Sequence, residues 1–132
     1  MIKKQTEKEL VVSSSQVYCS VDLEFTGFDP SKDQILEIGF AFFYMTGQGA
    51  EIIEEWSQVF KPSIDVHPKI LGLTGITQEE LDDAPKFNEY REFLQEKLGS
   101  AIIVGHNPVM DVKFLEAYGL KLSGNTIDTL EL

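Results

Sequence analysis

Cysteine is almost absent. The single Cys19 in 132 residues rules out an internal disulfide, and with it the small stapled scaffolds of secreted domains. Cations are scarce as well: 11 Lys and Arg stand against 22 Asp and Glu, a formal charge of −11. That balance argues against a general polyanion binder, because sequence-independent nucleic-acid affinity comes largely from cations neutralising phosphates. Three of the 11 lie in the first eight positions, and the rest are scattered without forming a stripe. No apolar run reaches the roughly 20 residues of a membrane span, and the polar opening is not followed by a secretory core with a cleavage site. The setting these absences imply is a reducing cytoplasm with no membrane partner, in which Cys19 is a packed thiol. A nucleic-acid ligand would have to be held by bound metal, backbone donors and stacking at a small site.

What is present suffices for one domain. Hydrophobic residues make up 42% of the chain and nine are Phe, which excludes wholesale disorder. Residues 1–15 read as a flexible polar tail ending in Ser13-Ser14-Ser15, and residues 16–132 as the domain. The stretch 17–25 alternates strictly, with Val17, Cys19, Val21, Leu23 and Phe25 on one face and Tyr18, Ser20, Asp22 and Glu24 on the other, the period of a strand. Asp22 and Glu24 therefore point the same way, roughly 7 Å apart at the backbone. They repel each other unless a cation sits between them or one takes up a proton. Hard oxygen ligands of this kind suit Mg²⁺ or Mn²⁺. Taken alone, an Asp-x-Glu pair is more often a solvated strand face.

Residues 26–33 are dense in turn formers and read as a loop. Residues 35–44 and about 51–60 then complete an antiparallel meander across a turn at Gly47-Gln48-Gly49. Pro62 and Pro68 punctuate a further loop, and Thr77 with Glu80 fits a capping box that opens a short helix. Phe87, Tyr90, Leu94 and Leu98 make a helical stripe that stops at Gly99. The short apolar run 101–104 reads as a buried strand, and helices on either side of it imply parallel pairing and a mixed sheet. In the helix that follows, Asn107 suits the N-cap, Pro108 the first position and Gly119 the stop. Asp111 shares the apolar face of that helix with Phe114, Leu115 and Tyr118. Burying it unpaired would be costly, although a first-turn Asp also suits a helix N-terminus. Residues 126–130 start another strand or turn.

Together these segments resemble the DnaQ-like, DEDD-type 3′–5′ exonucleases, the group that includes the proofreading subunit of bacterial replicative polymerase. Val21-Asp22-Leu23-Glu24-Phe25-Thr26-Gly27-Phe28-Asp29-Pro30 looks like the first exonuclease motif, followed by Ile35-Leu36-Glu37-Ile38-Gly39. Leu71-Gly72-Leu73-Thr74-Gly75-Ile76-Thr77 resembles the substrate-side segment, and Gly105-His106-Asn107-Pro108-Val109-Met110-Asp111 opens what looks like the second motif. The resemblance implies a ribonuclease H-like α/β fold, a mixed sheet flanked by helices, whose chain is C-terminally incomplete here. It implies Asp22, Glu24 and Asp111 as catalytic metal ligands for two Mg²⁺ or Mn²⁺ ions about 4 Å apart. Phe25, Thr26, Leu73, Thr74 and Met110 would line the pocket for the terminal nucleotide. Phe25 stands where Thr is common and Met110 where Phe is common. Asp128 falls beyond the ligand set. The third motif, a His followed by an Asp, is absent before Leu132, so the general base is unknown and neither His67 nor His106 takes its place.

The expected function is an exonuclease domain that removes nucleotides from 3′ ends of DNA or RNA. Its partners would be a single-stranded or frayed 3′ end and a polymerase or second copy of the chain. The alternatives are a catalytically incomplete nucleic-acid-binding or interaction module of the same fold, and a hydrolase of short oligonucleotides.

Overall fold

Period-two alternation makes residues 17–25 a strand, and the rest of the sheet is laid against it. The structure is a computed structural model that describes residues 16–129; the tail expected at 1–15 and the end of the chain from Leu130 lie outside the described residues. Strands β1 (Val17–Phe25), β2 (Ile35–Thr46) and β3 (Gly49–Val59) form the antiparallel meander. Two short helices follow, α1 (Pro68–Thr74) and α2 (Gln78–Asp83). A 3₁₀ turn (Phe87–Tyr90) then runs into α3 (Arg91–Leu98), and β4 (Ile103–Gly105), α4 (Pro108–Ala117) and β5 (Thr126–Asp128) complete the fold. The five strands are ordered β3-β2-β1-β4-β5, with β1/β4 and β4/β5 parallel. The mixed sheet flanked by helices is the one expected, and β1 is its central strand.

The apolar face of β1 supplies Cys19, Val21 and Leu23 to the main core, which Leu94 and Leu98 of α3 and Phe114 and Leu115 of α4 complete. The β1–β2 register shifts between Glu24 and Phe25, so that Glu24 faces Glu37, Phe25 faces Ile35, and Leu36 is skipped. The bulge lets Ile35 and Ile38 share the main core. Leu36 turns into a second, smaller core with Ile76 and Leu81.

Three local expectations change. Residues 68–74, expected as loop, are helical: Pro68 occupies the first turn, and His67 Nδ1 caps it by accepting the Lys69 N–H at 3.0 Å. Gly99 ends α3 in right-handed rather than left-handed conformation, its N–H donating to the Gln95 carbonyl. Asn107 caps nothing with its side chain and is itself left-handed at φ 54°, ψ 58°. The capping box at Thr77 forms as expected, with Thr77 Oγ1 accepting the Glu80 N–H at 3.1 Å.

Candidate active site

Strand geometry sends Asp22 and Glu24 to the face of β1 opposite the main core, where Asp22 is exposed and Glu24 half-buried. The third acid comes from α4, and the turn that delivers it is tightly built. Asn107 is the one non-glycine residue with positive φ among the described residues, a conformation Asn tolerates better than most. Its N–H donates to Asp128 Oδ1 at 3.4 Å, which ties the turn to β5. A Cβ on Gly105 would lie 3.6 Å from the Val21 carbonyl oxygen, so the β4–α4 turn runs close against β1 beside Asp22. Phe25 and Phe114 stack with ring centres 4.0 Å apart and pin α4 against the end of β1. Asp111, one turn before Phe114, is thereby brought under the influence of Asp22.

The electrostatics record that convergence. Burial, and then the Asp22 charge, push the Asp111 carboxyl up from 3.8 to about 7. Glu24 is raised by burial and then by Asp22 and Glu37. Glu37 is raised by burial and then by Glu80 and Asp22. No cation balances them: the one side-chain ion pair among the described residues is Lys97–Glu54, 2.8 Å long, between α3 and β3. A half-buried carboxylate that faces another acid without a counter-charge is the chemistry of a hard-cation ligand. As placed, though, no three His, Cys, Asp or Glu side chains among the described residues close on a common point to hold an ion.

The other expected site residues surround this set unevenly. Phe25 is half-buried on Phe114, and half-buried Met110 packs against the main core. Thr26 is engaged within its own loop: Oγ1 donates to Asp33 Oδ1 at 3.0 Å and accepts the Gln34 N–H at 2.9 Å. A Cβ on Gly27 would overlap the Asp33 carboxylate, so any other residue there would push the clasp aside. Leu73 and Thr74 come from the end of α1, Leu73 fully outward at 75% exposure, Thr74 with its hydroxyl donating to the Ile70 carbonyl at 2.9 Å. Two residues had no assigned role. Glu37 faces Glu24 across the bulge, which only the strand register shows. Phe28, 80% exposed on the clasped loop, carried a signal in its sequence: an aromatic among turn formers has no apolar stripe to join.

An exonuclease family, RNase_T, matches residues 20–131. The chain belongs to this family. Among curated proteins it is similar to the PolC-type DNA polymerase III of Thermotoga maritima, 37% identical over 117 residues, which cover 85% of this chain and 8% of that protein. It is also similar to the 3′-5′ exonuclease DinG of Staphylococcus aureus, 32% identical over 75% of this chain and 11% of that protein. The chain thus spans about a tenth of the relatives it matches. Solved exonucleases share the fold. Exonuclease X in complex with 5′-overhanging duplex DNA superimposes with a TM-score of 0.61 at 22% identity, over 86% of this chain and 60% of that one. E. coli exonuclease I with a dT13 oligonucleotide gives 0.65 at 19%, over 88% of this chain and 28% of that one. No helix of the described residues is long and apolar enough to cross a membrane.

Proposed function

We propose that residues 16–132 form a 3′–5′ exonuclease domain that hydrolyses the terminal phosphodiester at a DNA 3′ end. The observation that carries this reading is Asp111, an acid of a core-facing helix stripe held half-buried against Asp22 in a chain of an exonuclease family. Asp22, Glu24 and Asp111 would hold Mg²⁺ or Mn²⁺, with Asp22 central because its charge acts on both of the others. The bound metal supplies charge neutralisation at the phosphate and a water of lowered pKa. The protein's own part is to seat the terminal nucleotide. Phe25 and Met110 would offer apolar surface at the base of α4, Thr26 and Gly27 a clasped backbone beside Glu24, Leu73 and Thr74 further contacts from the end of α1, and exposed Phe28 a ring on which a base can stack. The PolC relatives favour DNA as the substrate and a polymerase as the working partner.

One observation favours a second reading, a DNA-end-binding module with little turnover. Among the described residues, His67 is spent on capping α1 and exposed His106 makes no hydrogen bond, so no histidine is positioned as a base. Residues 1–132 alone should therefore hydrolyse a 3′-labelled single strand at least ~10²-fold more slowly than a chain carrying a general base. Calorimetric titration with Mn²⁺ separates the possibilities. Binding that Asp22→Asn and Asp111→Asn each abolish, with preference for a free over a blocked 3′ end, supports the exonuclease site. Unchanged Mn²⁺ binding in both variants would return these acids to a solvated surface.

A further inference from the structure

A concavity of about 520 Å³ lies between the start of β2, the loop after β3, the 3₁₀ turn and the ends of α3 and α4, and none of the acids Asp22, Glu24 or Asp111 lines it. Its walls carry Lys61, Lys86 and Arg91 and no carboxylate. Eight Lys and Arg lie in residues 16–129, the 11 of the chain less Lys3, Lys4 and Lys8. Three of those eight, from two separate stretches of the chain, are thus gathered at one opening. Among the described residues none is ion-paired. Glu89, between Lys86 and Arg91 in sequence, uses its carboxylate to accept the Lys86 backbone N–H at 3.0 Å.

Arg91 is fixed in place. Its Nε donates to the Tyr118 carbonyl at 3.1 Å, its guanidinium carbon sits 5.7 Å from the Phe87 ring centre, and it lies across Gly119, where a Cβ would come within 3.5 Å of Nε. The terminal nitrogens are left uncommitted, a preorganised fork of the kind that takes phosphate oxygens two at a time. Two hydroxyls there already accept bonds and retain their own protons: Tyr118 from the Ile35 N–H at 3.0 Å, and Ser63 from Gln34 Nε2 at 2.7 Å. Buried Ile35, Phe60 and Phe87 floor the concavity and keep the local dielectric low, which strengthens any charge pairing above them.

We propose that this concavity is a second phosphate site, which takes the backbone of the strand a few nucleotides upstream of its 3′ end; the inference rests on the exonuclease reading above. Helix α4 sets the spacing, because Asp111 and Tyr118 are seven residues apart, about 10 Å along a helix axis. At about 3.4 Å per stacked nucleotide that is about three steps of a strand. In a molecule of charge −11 such a site lets a polyanion be held at all.

The test uses the whole chain with Mg²⁺ and measures the anisotropy of 5′-labelled oligothymidylates from dinucleotide to octanucleotide at several salt concentrations. Affinity should rise about tenfold from the dinucleotide to the tetra- or pentanucleotide and then level off. The triple variant Lys61→Ala, Lys86→Ala, Arg91→Ala should lose that rise, and its salt slope should fall by about 2, near 0.7 for each phosphate contact removed. Dinucleotide binding should stay unchanged, which also shows that the variant is folded. The control Lys32→Ala, Lys69→Ala, Lys121→Ala makes the same change of net charge and should keep the rise. Equal slopes for the two triple variants would overturn the second site while leaving the exonuclease reading intact. Failure of the unsubstituted chain to bind any strand would overturn both. Displacement of the strand by a poly-Glu peptide at lower concentration than by unlabelled oligonucleotide would give the site to an acidic protein segment instead, and would also overturn it.

Discussion

At Asp111 a carboxylate is held where ionisation is disfavoured twice, by burial and by Asp22. The folded chain binds that proton more tightly than the unfolded chain does, so between the usual carboxylate pKa and about 7 the native state carries the extra proton. Stability from this group is therefore full at low pH, falls as pH rises from about 4 through about 7, and is flat above. Asp111→Asn should remove the dependence. In urea denaturation without divalent ions the variant should be about 1–3 kcal/mol more stable at pH 8 and no different at pH 4. That range is less than the whole pKa rise would correspond to, because water still reaches the half-buried group. Mn²⁺ should invert the order by stabilising the natural chain alone. Equal stability of the two chains at pH 8 would mean that neither burial nor Asp22 raises the Asp111 carboxyl in the fold. Sequence periodicity alone put Asp22 and Glu24 on one strand face and Asp111 on a core-facing stripe. Glu37 escaped it, since the residue that faces Glu24 is set by a bulge, and nothing in the local sequence marks where a register will slip.

Among the elements, the β4–α4 turn carries most strain and places most function. The Asn107-Pro108 pair suits a capped helix start, yet Pro disfavours helical backbone before it, and the tether from Asn107 N–H to Asp128 holds the residue left-handed. Asn107→Gly should be neutral or stabilise the fold by up to about 1 kcal/mol, because glycine adopts positive φ freely. Asn107→Val should cost about 1–2 kcal/mol and weaken Mn²⁺ binding as α4 shifts Asp111 away from Asp22. Guanidinium melts paired with the Mn²⁺ titration read both effects, and loss of stability with unchanged Mn²⁺ affinity would break the link between turn and site. Helix α1 was illegible for a different reason. Its seven residues include Gly72 and, of the apolar ones, bury only Ile70 and Leu71 in part, too little for a helical stripe to stand out. The capping box at Thr77 was legible because its two bonds are local, and Thr77→Ala should cost about 1 kcal/mol in the same melts.

Across the whole molecule, the order of patterns foretold the sheet: an antiparallel meander, then a short apolar strand between helices, admits few topologies other than β1 at the centre. What no pattern foretold is the gathering of Lys61, Lys86 and Arg91 at the end of α4 away from the acids. Self-repulsion at −11 should make the metal-free chain more stable as monovalent salt is raised, with a midpoint of unfolding that climbs before any specific ion is added. A midpoint independent of salt would show that the acids are already compensated within the fold.

Cys19 lies at the middle of all this, fully buried on the central strand, its thiol pushed up to about 12 by burial and then by the Glu54 charge. A reagent that needs thiolate has nothing to attack until the helices that cover this core face of the sheet lift away. One molecule therefore carries one mass tag's worth of history. The fraction alkylated after a fixed pulse counts how many chains have opened their centre since the pulse began, and a strand or metal ion that closes the fold should slow that clock without any label being attached to the protein beforehand.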